Sequence, residues 1–313
     1  MQNDRFRFAS PRLLLWKMQT EYYRIAGLTF AVSSDFTWLD YGLSAPFLLP
    51  DLPAPQEEEG LIRLCCRSRD TVPPEEGMPV IYRDATLTIR QSGEELIREL
   101  RMVESEQIYL SVRQQKNGFC QNLTFSRRYA ETACRMRCLW DGVFLNHLLV
   151  QHNRSVLHAA FADVGGRALL FTAPSGTGKS TQAALWNRLH GAETINGDRA
   201  VFGHDAAGQL WVSGMPQAGT SGICRNRTLP AMAIVRVTQA DRNEAVRLHG
   251  AESMAVLFEN AVYDRYRTDD TAKNAAAFCG IAACVPVFRL YCQPNEAAVA
   301  VMEEELKRNG INL

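Results

Sequence analysis

One stretch constrains this chain more than any other, Ala173–Thr181 (APSGTGKST). It follows Arg167–Thr172 (RALLFT), an apolar run of strand length, and precedes Thr181–Leu189 (TQAALWNRL), whose apolar spacing is helical. Strand, small-residue loop, Lys-Ser and helix together form the context in which a Gly-rich loop holds phosphate. Gly176 and Gly178 lack a Cβ, so the backbone curls and brings its N–H groups toward phosphate oxygens. A helix opening at Lys179 aims its positive dipole end at the same place. On this reading Ser175, Gly176, Thr177, Gly178, Lys179, Ser180 and Thr181 form a nucleotide cradle. Lys179 reaches the β- and γ-phosphates, and the Ser180 hydroxyl ligates Mg²⁺. Ala173 stands where the pattern expects its first glycine. The competing reading is an ordinary strand-to-helix turn with a surface lysine; the flanking elements favour nucleotide binding.

A chain of 313 residues is long enough for two domains with a substantial core. Lys plus Arg and Asp plus Glu both number 34, so no net field draws it to nucleic acid or to an anionic membrane. The apolar run Leu13–Trp16 is too short for a signal peptide, and Ala275–Phe288 is interrupted by Gly280 and Pro286 and does not span a bilayer. The nine cysteines are scattered and odd in number. Cys134 and Cys138 lie one helical turn apart without the His or second Cys pair that zinc requires. Reduced, buried thiols in a cytoplasmic protein are expected.

The pattern divides into a β-rich N-terminal domain over 1–130, a connecting helix over 131–153 and a second domain over 154–313. The first part shows strand-like runs at 22–32, 80–83, 85–90 and 107–112, separated by Pro- and Gly-containing turns. Residues 50–60 read as a loop with a solvated acidic run. Leu139, Val143, His147 and Val150 recur at helical spacing, with Phe144 and Leu148 filling in, and predict one amphipathic helix over about 130–152. His147 and His152 read as packing or surface histidines.

The second part opens with a strand at Ser155–Ala162 and a hairpin turn at Asp163–Gly166. Alternation puts Val156, His158 and Ala160 on one face, so the imidazole points at the nucleotide or at the core, and spacing alone favours the core. Asp198 lies 18 residues beyond Ser180, at the end of a short strand, where a carboxylate meets Mg²⁺ directly or through water. The pair Asn196-Gly197 is also a type I′ turn signal. Between 213 and 227, Gly214, Gly219 and Gly222 permit close backbone approach to a ligand, and Thr220 and Ser221 add donors. Arg225 and Arg227 there read either as anion-pairing groups or as solvated surface arginines. A strand at 232–237 and helices at 251–264, 271–283 and 295–308 complete the domain, the last with a charged face at 303–308.

His158, the hairpin, the Ser-Gly-Thr-Gly-Lys-Ser loop and Asn196-Gly197-Asp198, in that order, resemble the HPr kinase/phosphorylase group, which shares the phosphoenolpyruvate carboxykinase-type P-loop fold. The likeness covers roughly 150–295 and is densest over 155–202; the segments 216–226 and 285–294 also look like those of small HPr-kinase-related proteins. It implies an α/β fold (α+β overall), with a mixed sheet in a P-loop domain preceded by the smaller β-rich domain. It also implies that His158 and Asp198 belong to the catalytic centre. The group's paired aspartates are here Asn196, Gly197 and Asp198, which leaves one carboxylate. Its second signature is absent and its N-terminal half does not match, so phosphorylation of HPr itself is not implied.

The expectation is a kinase that transfers the γ-phosphoryl group of ATP, or another nucleoside triphosphate, with Mg²⁺, to a hydroxyl on a small molecule or a peptide serine. Asp198, tuned by His158, takes the acceptor's proton; Lys179 and the loop amides spread the transferring charge; Ser180 and Asp198 hold the metal; Arg225 pairs with the phosphoryl group or an anionic acceptor. Two alternatives stand beside it, a nucleotide binder without chemistry and a nucleoside-triphosphate hydrolase acting as a switch. No nucleic acid or membrane partner is expected, and the resemblance is compatible with a homo-oligomer.

Overall fold

The computed structural model describes residues 18–50, 60–114, 119–263 and 268–313, which form two compact units. One takes Met1–Glu21, Ala31–Asp40 and Ile62–Gly142; the other takes Tyr22–Phe30, Tyr41–Leu61 and Val143–Leu313. The apolar run at 13–16, the acidic loop at 51–59 and residue 264, where a helix was expected to end, lie outside the described residues. The fold is mixed α/β, built on two mixed sheets. Among the described residues no helix is long and apolar enough to cross a membrane.

The first sheet has eight strands: β1 (Gln19–Ile25), β2 (Leu28–Ser34), β3 (Ile62–Arg69), β4 (Val80–Arg83), β5 (Leu87–Ser92), β6 (Glu95–Arg101), β7 (Ile108–Gln114) and β8 (Cys120–Ser126). Their order is β1-β2-β3-β8-β7-β6-β5-β4. β4 to β8 form an antiparallel meander, and β3 joins β8 in parallel. Strict alternation of buried positions along β7 (Ile108, Leu110, Val112, Gln114) marks a sheet with one face on a core. Phe36, Trp38 and Phe125 meet edge to face there, with ring centroids 4.8, 5.2 and 5.6 Å apart. The run expected as one strand over 22–32 instead turns at Ala26 and Gly27. Both have positive φ (49° and 80°), the backbone a two-residue type I′ hairpin needs.

The single helix expected over 130–152 is three short ones, α1 (Ala130–Ala133), α2 (Met136–Gly142) and α3 (Leu145–Gln151). Gly142 gives the reason for the second break. A Cβ there would strike the Leu110 side chain, so a residue that weakens helices is required at that point, and Phe144 then leaves helical geometry at ψ 55°. His147 is buried, not solvated, with its Nδ1 3.0 Å from the Asp270 carboxylate.

The second sheet has nine strands, from β9 (Ser155–Val164) and β10 (Arg167–Thr172) through β11 (Glu193–Asn196), β12 (Arg199–His204), β13 (Leu210–Ser213), β14 (Thr228–Gln239), β15 (Glu244–Leu248) and β16 (Ala261–Val262) to β17 (Val287–Cys292). β10, β14 and β17 run parallel at its centre. Helices α4 (Lys179–His190) and α7 (Glu296–Arg308) cover one face, and α5 (Ala251–Glu259) and α6 (Thr268–Cys284) the other. Successive residues of β10 therefore feed two cores: Leu169 and Phe171 pack with Trp186 and Met302, while Ala168 and Leu170 pack with Leu257 and Phe278. Burial on both faces explains why 167–172 reads as an unbroken apolar run.

Candidate functional site

The Gly-rich loop leaves the carboxyl end of β10, where open α/β sheets place their ligands. Thr172 is the last residue of that strand; its hydroxyl donates to His158 O at 2.9 Å, and Arg236 on parallel β14 stands beside it in register. Ala173 is fully buried, and it is not among the residues with positive φ. A Cβ is therefore tolerated at this departure from the pattern. Gly176 and Gly178 do carry positive φ, 77° and 112°, and a Cβ added at either meets nothing within 4 Å. Their glycine identity answers to backbone conformation, with open space where a Cβ would stand. Gly178 is also the residue before α4, whose first turn has no side-chain cap. The N–H groups of that turn are thus the loop's natural hydrogen-bond donors to an anion.

Lys179 is buried, and its Nζ donates to Ala173 O at 2.9 Å and Pro174 O at 3.2 Å, which curls the side chain over the loop. Burial pushes its ammonium below the ordinary lysine value; the Asp198 charge pulls the other way, and Arg199 and Arg236 add to the depression. Ser175, Gly176, Ser180 and Thr181 are exposed, and Thr177 and Gly178 half-buried. Trp186, packed on Phe171 and stacked on His190, anchors the helix behind the loop.

β11 and β12 both lie antiparallel to β9 on the same side, one after the other. They are consecutive pieces of one run, so Asn196-Gly197 does not make the type I′ hairpin its sequence signals; Gly197 is not at positive φ. Fully buried Asn196 organises the step between them. Its Nδ2 donates to Met215 O (2.9 Å) and Gln217 O (3.0 Å), and its Oδ1 accepts from the N–H groups of Asp198 and Arg199, both at 2.9 Å. Every hydrogen-bonding position of that amide is used, and Asp198 is thereby turned toward His158.

His158 Nε2 lies 3.0 Å from Asp198 Oδ1, and Arg199 Nη1 lies 2.5 Å from Asp198 Oδ2. An ionised carboxylate only accepts, so His158 Nε2 carries the proton it donates. Burial raises the Asp198 pKa, but the His158 bond and the charges of Arg199, His158 and Lys179 outweigh it, and the net shift is downward. Asp198 is held as an anion: a good partner for cations and a weak base.

Gly219, at φ 55°, crosses directly over this carboxylate; a Cβ there would sit 2.8 Å from Asp198 Cγ. Gly214 is needed because its Cβ would collide with Arg225 O, and Gly197 because its Cβ would collide with the Ser221 side chain. The close approaches at 214 and 219, expected to serve a ligand, meet the chain's own Arg225 backbone and Asp198 carboxylate respectively. Residues 223–225 run antiparallel to 195–197 through Gly197 N to Ile223 O and Arg225 N to Ile195 O. This holds Arg225 along β11, where its Nε faces Glu193 Oε1 at 3.0 Å and Thr194 O at 3.3 Å. Arg227 bridges Glu193 and Asp163. The structure shows no bond from Arg225 to the Asp198 cluster.

Sequence reasoning missed Arg199 and Arg236, and it counted Asn196 as a turn residue and a lost carboxylate. Arg199 had a signal, since it follows Asp198 directly in the chain. Arg236 had none, because only the β10–β14 register brings it to Thr172. Cys224 near the site is no nucleophile, as burial pushes its thiol up to about 12. The nine cysteines are free, with Cys279 and Cys284 exposed rather than buried as expected. Among the described residues no three His, Cys, Asp or Glu side chains converge in a way that would hold a metal. The Ser180 hydroxyl and the Asp198 carboxylate are oxygen donors of the kind that suit Mg²⁺ arriving with phosphate and keeping its waters.

No protein-family model matches this chain, and no curated protein does. A solved HPr(Ser) kinase/phosphatase from Coxiella burnetii aligns over 50% of this chain and 90% of its own, at 12% identity and a TM-score of 0.30. That is a distant structural relationship.

Proposed function

We propose that the chain is a P-loop phosphotransferase that binds a magnesium nucleoside triphosphate, ATP in the first instance, on residues 175–181 and transfers its γ-phosphoryl group to a hydroxyl. The observation that carries this reading is the loop from β10 to α4, with left-handed glycines at 176 and 178 and Lys179 folded across it within the field of Asp198. The bound magnesium nucleotide supplies the phosphoryl group and the neutralising cation. Lys179 and the first-turn amides of α4 hold the phosphate oxygens, and Ser180 and Asp198 are the metal's protein ligands. His158 fixes the orientation of Asp198, and Arg199 keeps it ionised. In a loose phosphoryl-transfer transition state most catalysis is positioning and charge stabilisation, so a weakly basic carboxylate that orients the acceptor hydroxyl suffices. Arg225, tied to Glu193, acts on the acceptor side only by exchanging that ion pair for an anionic group.

One observation favours a second reading, nucleotide binding or hydrolysis without an acceptor. Both carboxylate oxygens of Asp198 already face His158 and Arg199, and basicity is depressed. Thermal-shift titration of wild type and Lys179→Ala with Mg-ATP, Mg-GTP and Mg-ADP tests the common part. A nucleotide at 100 times its Kd is expected to stabilise the wild type by about 2.7 kcal/mol and leave the variant unmoved. No response from either protein overturns both readings. ADP release that depends on an added hydroxyl compound then identifies the kinase; phosphate release without one identifies the hydrolase.

A further inference from the structure

Within the unit that holds β3 to β8 there is a cavity of about 530 Å³, in the size range of small-molecule sites, and four arginines stand in its polar wall. Arg101 is 7% exposed and Arg90 16%, and the two share one carboxylate, that of Glu99, which lies behind the wall and is 1% exposed. Glu99 Oε2 is 2.8 Å from Arg101 Nη2 and 3.4 Å from Arg90 Nε, while its Oε1 accepts from the Glu75 N–H at 2.6 Å. Arg101 also donates to the Thr88 hydroxyl, and Arg90 to Met78 O at 3.0 Å. The two guanidinium groups are thus fixed in place, with one negative charge between them.

Two further arginines line the same space. Arg83 stands 3.9 Å from Glu106, both largely exposed, a pairing of little strength. Arg128 makes a long hydrogen bond, 3.4 Å, to the neutral Gln107 amide. Four positive charges therefore face two negative ones, leaving a surplus of two. Packing alone gives no reason to sink two arginines on one carboxylate, since apolar residues of like volume do as well or better. Pro73, Pro74 and Ile108 supply an apolar side to the cavity.

We propose that this cavity is a binding site for a small organic dianion, a phosphate monoester or a dicarboxylate, with its oxygens on Arg90, Arg101 and Arg128 and its carbon body against Pro73, Pro74 and Ile108. The surplus of two charges matches a dianion, and planar guanidinium forks match either oxyanion. The volume, about 530 Å³ and partly open to solvent, suits a small molecule.

Isothermal titration of the full chain at low salt tests this, using phenyl phosphate, phthalate and the neutral benzyl alcohol as probes. The protein carries Lys179→Ala, so that the Gly-rich loop is not the site measured. At least one dianion is expected to bind saturably and more weakly as salt rises, and benzyl alcohol not at all; which dianion binds distinguishes the two oxyanions. Adding Arg83→Gln and Arg128→Gln, both at exposed positions, is expected to weaken binding at least about tenfold with an unchanged melting midpoint. Three outcomes overturn the proposal: binding seen in wild type but lost with Lys179→Ala, binding indifferent to the two arginine replacements, or no dianion binding at millimolar concentration.

Discussion

Lys179 and Asp198 are a buried cation and a half-buried anion in each other's field, and their separate environments make separate predictions. For Lys179 the charged form is disfavoured by burial, and among the described residues its hydrogen bonds run to two loop carbonyls. Lys179→Met is expected to change apo stability by less than about 1 kcal/mol while abolishing the nucleotide response, because the desolvation relieved offsets the bonds lost. A loss of several kcal/mol in urea melts would make Lys179 a structural residue instead. Asp198 has a folded pKa below its ordinary value, so its contribution is present at pH above the unfolded carboxylate value of about 3.9. That contribution fades as pH falls through the lowered folded value. The stability gap between wild type and Asp198→Asn is therefore expected to be constant from pH 7 to about 5 and to shrink below about 4; a gap that widens in acid would reverse the sign. The sequence showed both residues through motif and spacing. It did not show that Arg199 pairs with Asp198 or that Arg236 bears on Lys179, since charge balance at a site depends on strand register.

The step from β11 to β12 shows how an element boundary sets a site. Asn196, absent from the candidate catalytic set, holds four backbone groups with one amide in a fully buried place. Asn196→Ala takes a partner from Gln217 O and from the N–H groups of Asp198 and Arg199, while Met215 O keeps the Gln217 N–H. The expected cost is about 2–4 kcal/mol, or roughly 5–15 °C in the melting midpoint. Nucleotide response is expected to weaken as well, because Asp198 loses its backbone anchor; an unchanged midpoint in a differential scanning calorimetry trace would sink this account. Here the sequence misled for a stated reason. Asn-Gly commonly turns a hairpin, but β9 offers one continuous edge to both strands, and pairing along that edge outweighs the local turn preference. Helix periodicity over 130–152 was overridden in the same way, by the close approach of Gly142 to Leu110. By contrast β9, β10 and α4 were legible, because an apolar run covered on both faces, a Gly-rich loop and an amphipathic helix each carry a local signal.

At the scale of the molecule, chain order and compact unit do not coincide. The sequence reads as domains over 1–130 and 154–313 with a helix between, since composition changes once along the chain. The unit that contains the Gly-rich loop also draws on Tyr22–Phe30 and Tyr41–Leu61. Those segments carry Tyr23, Ile25, Phe30 and Phe47, all fully buried. Arg154 Nε donates to Ala26 O at 3.3 Å, and Cys224 Sγ reaches Leu43 O at 3.7 Å. No local pattern near 22–61 announces such a destination, because long-range packing leaves only hydrophobicity behind. A fragment spanning 143–313 therefore lacks four large apolar side chains, each worth about 1.5–3 kcal/mol on burial. Their sum is comparable to the whole stability of a typical domain, about 5–15 kcal/mol. The fragment is expected to be unfolded, or to melt at least about 10 °C below the full chain, with Mg-ATP restoring little of the difference. Circular dichroism melts of the fragment and the full chain decide it. A fragment that melts with the full chain and responds to Mg-ATP would place all the determinants of the site after residue 143, and would make the N-terminal segments an accessory to its stability.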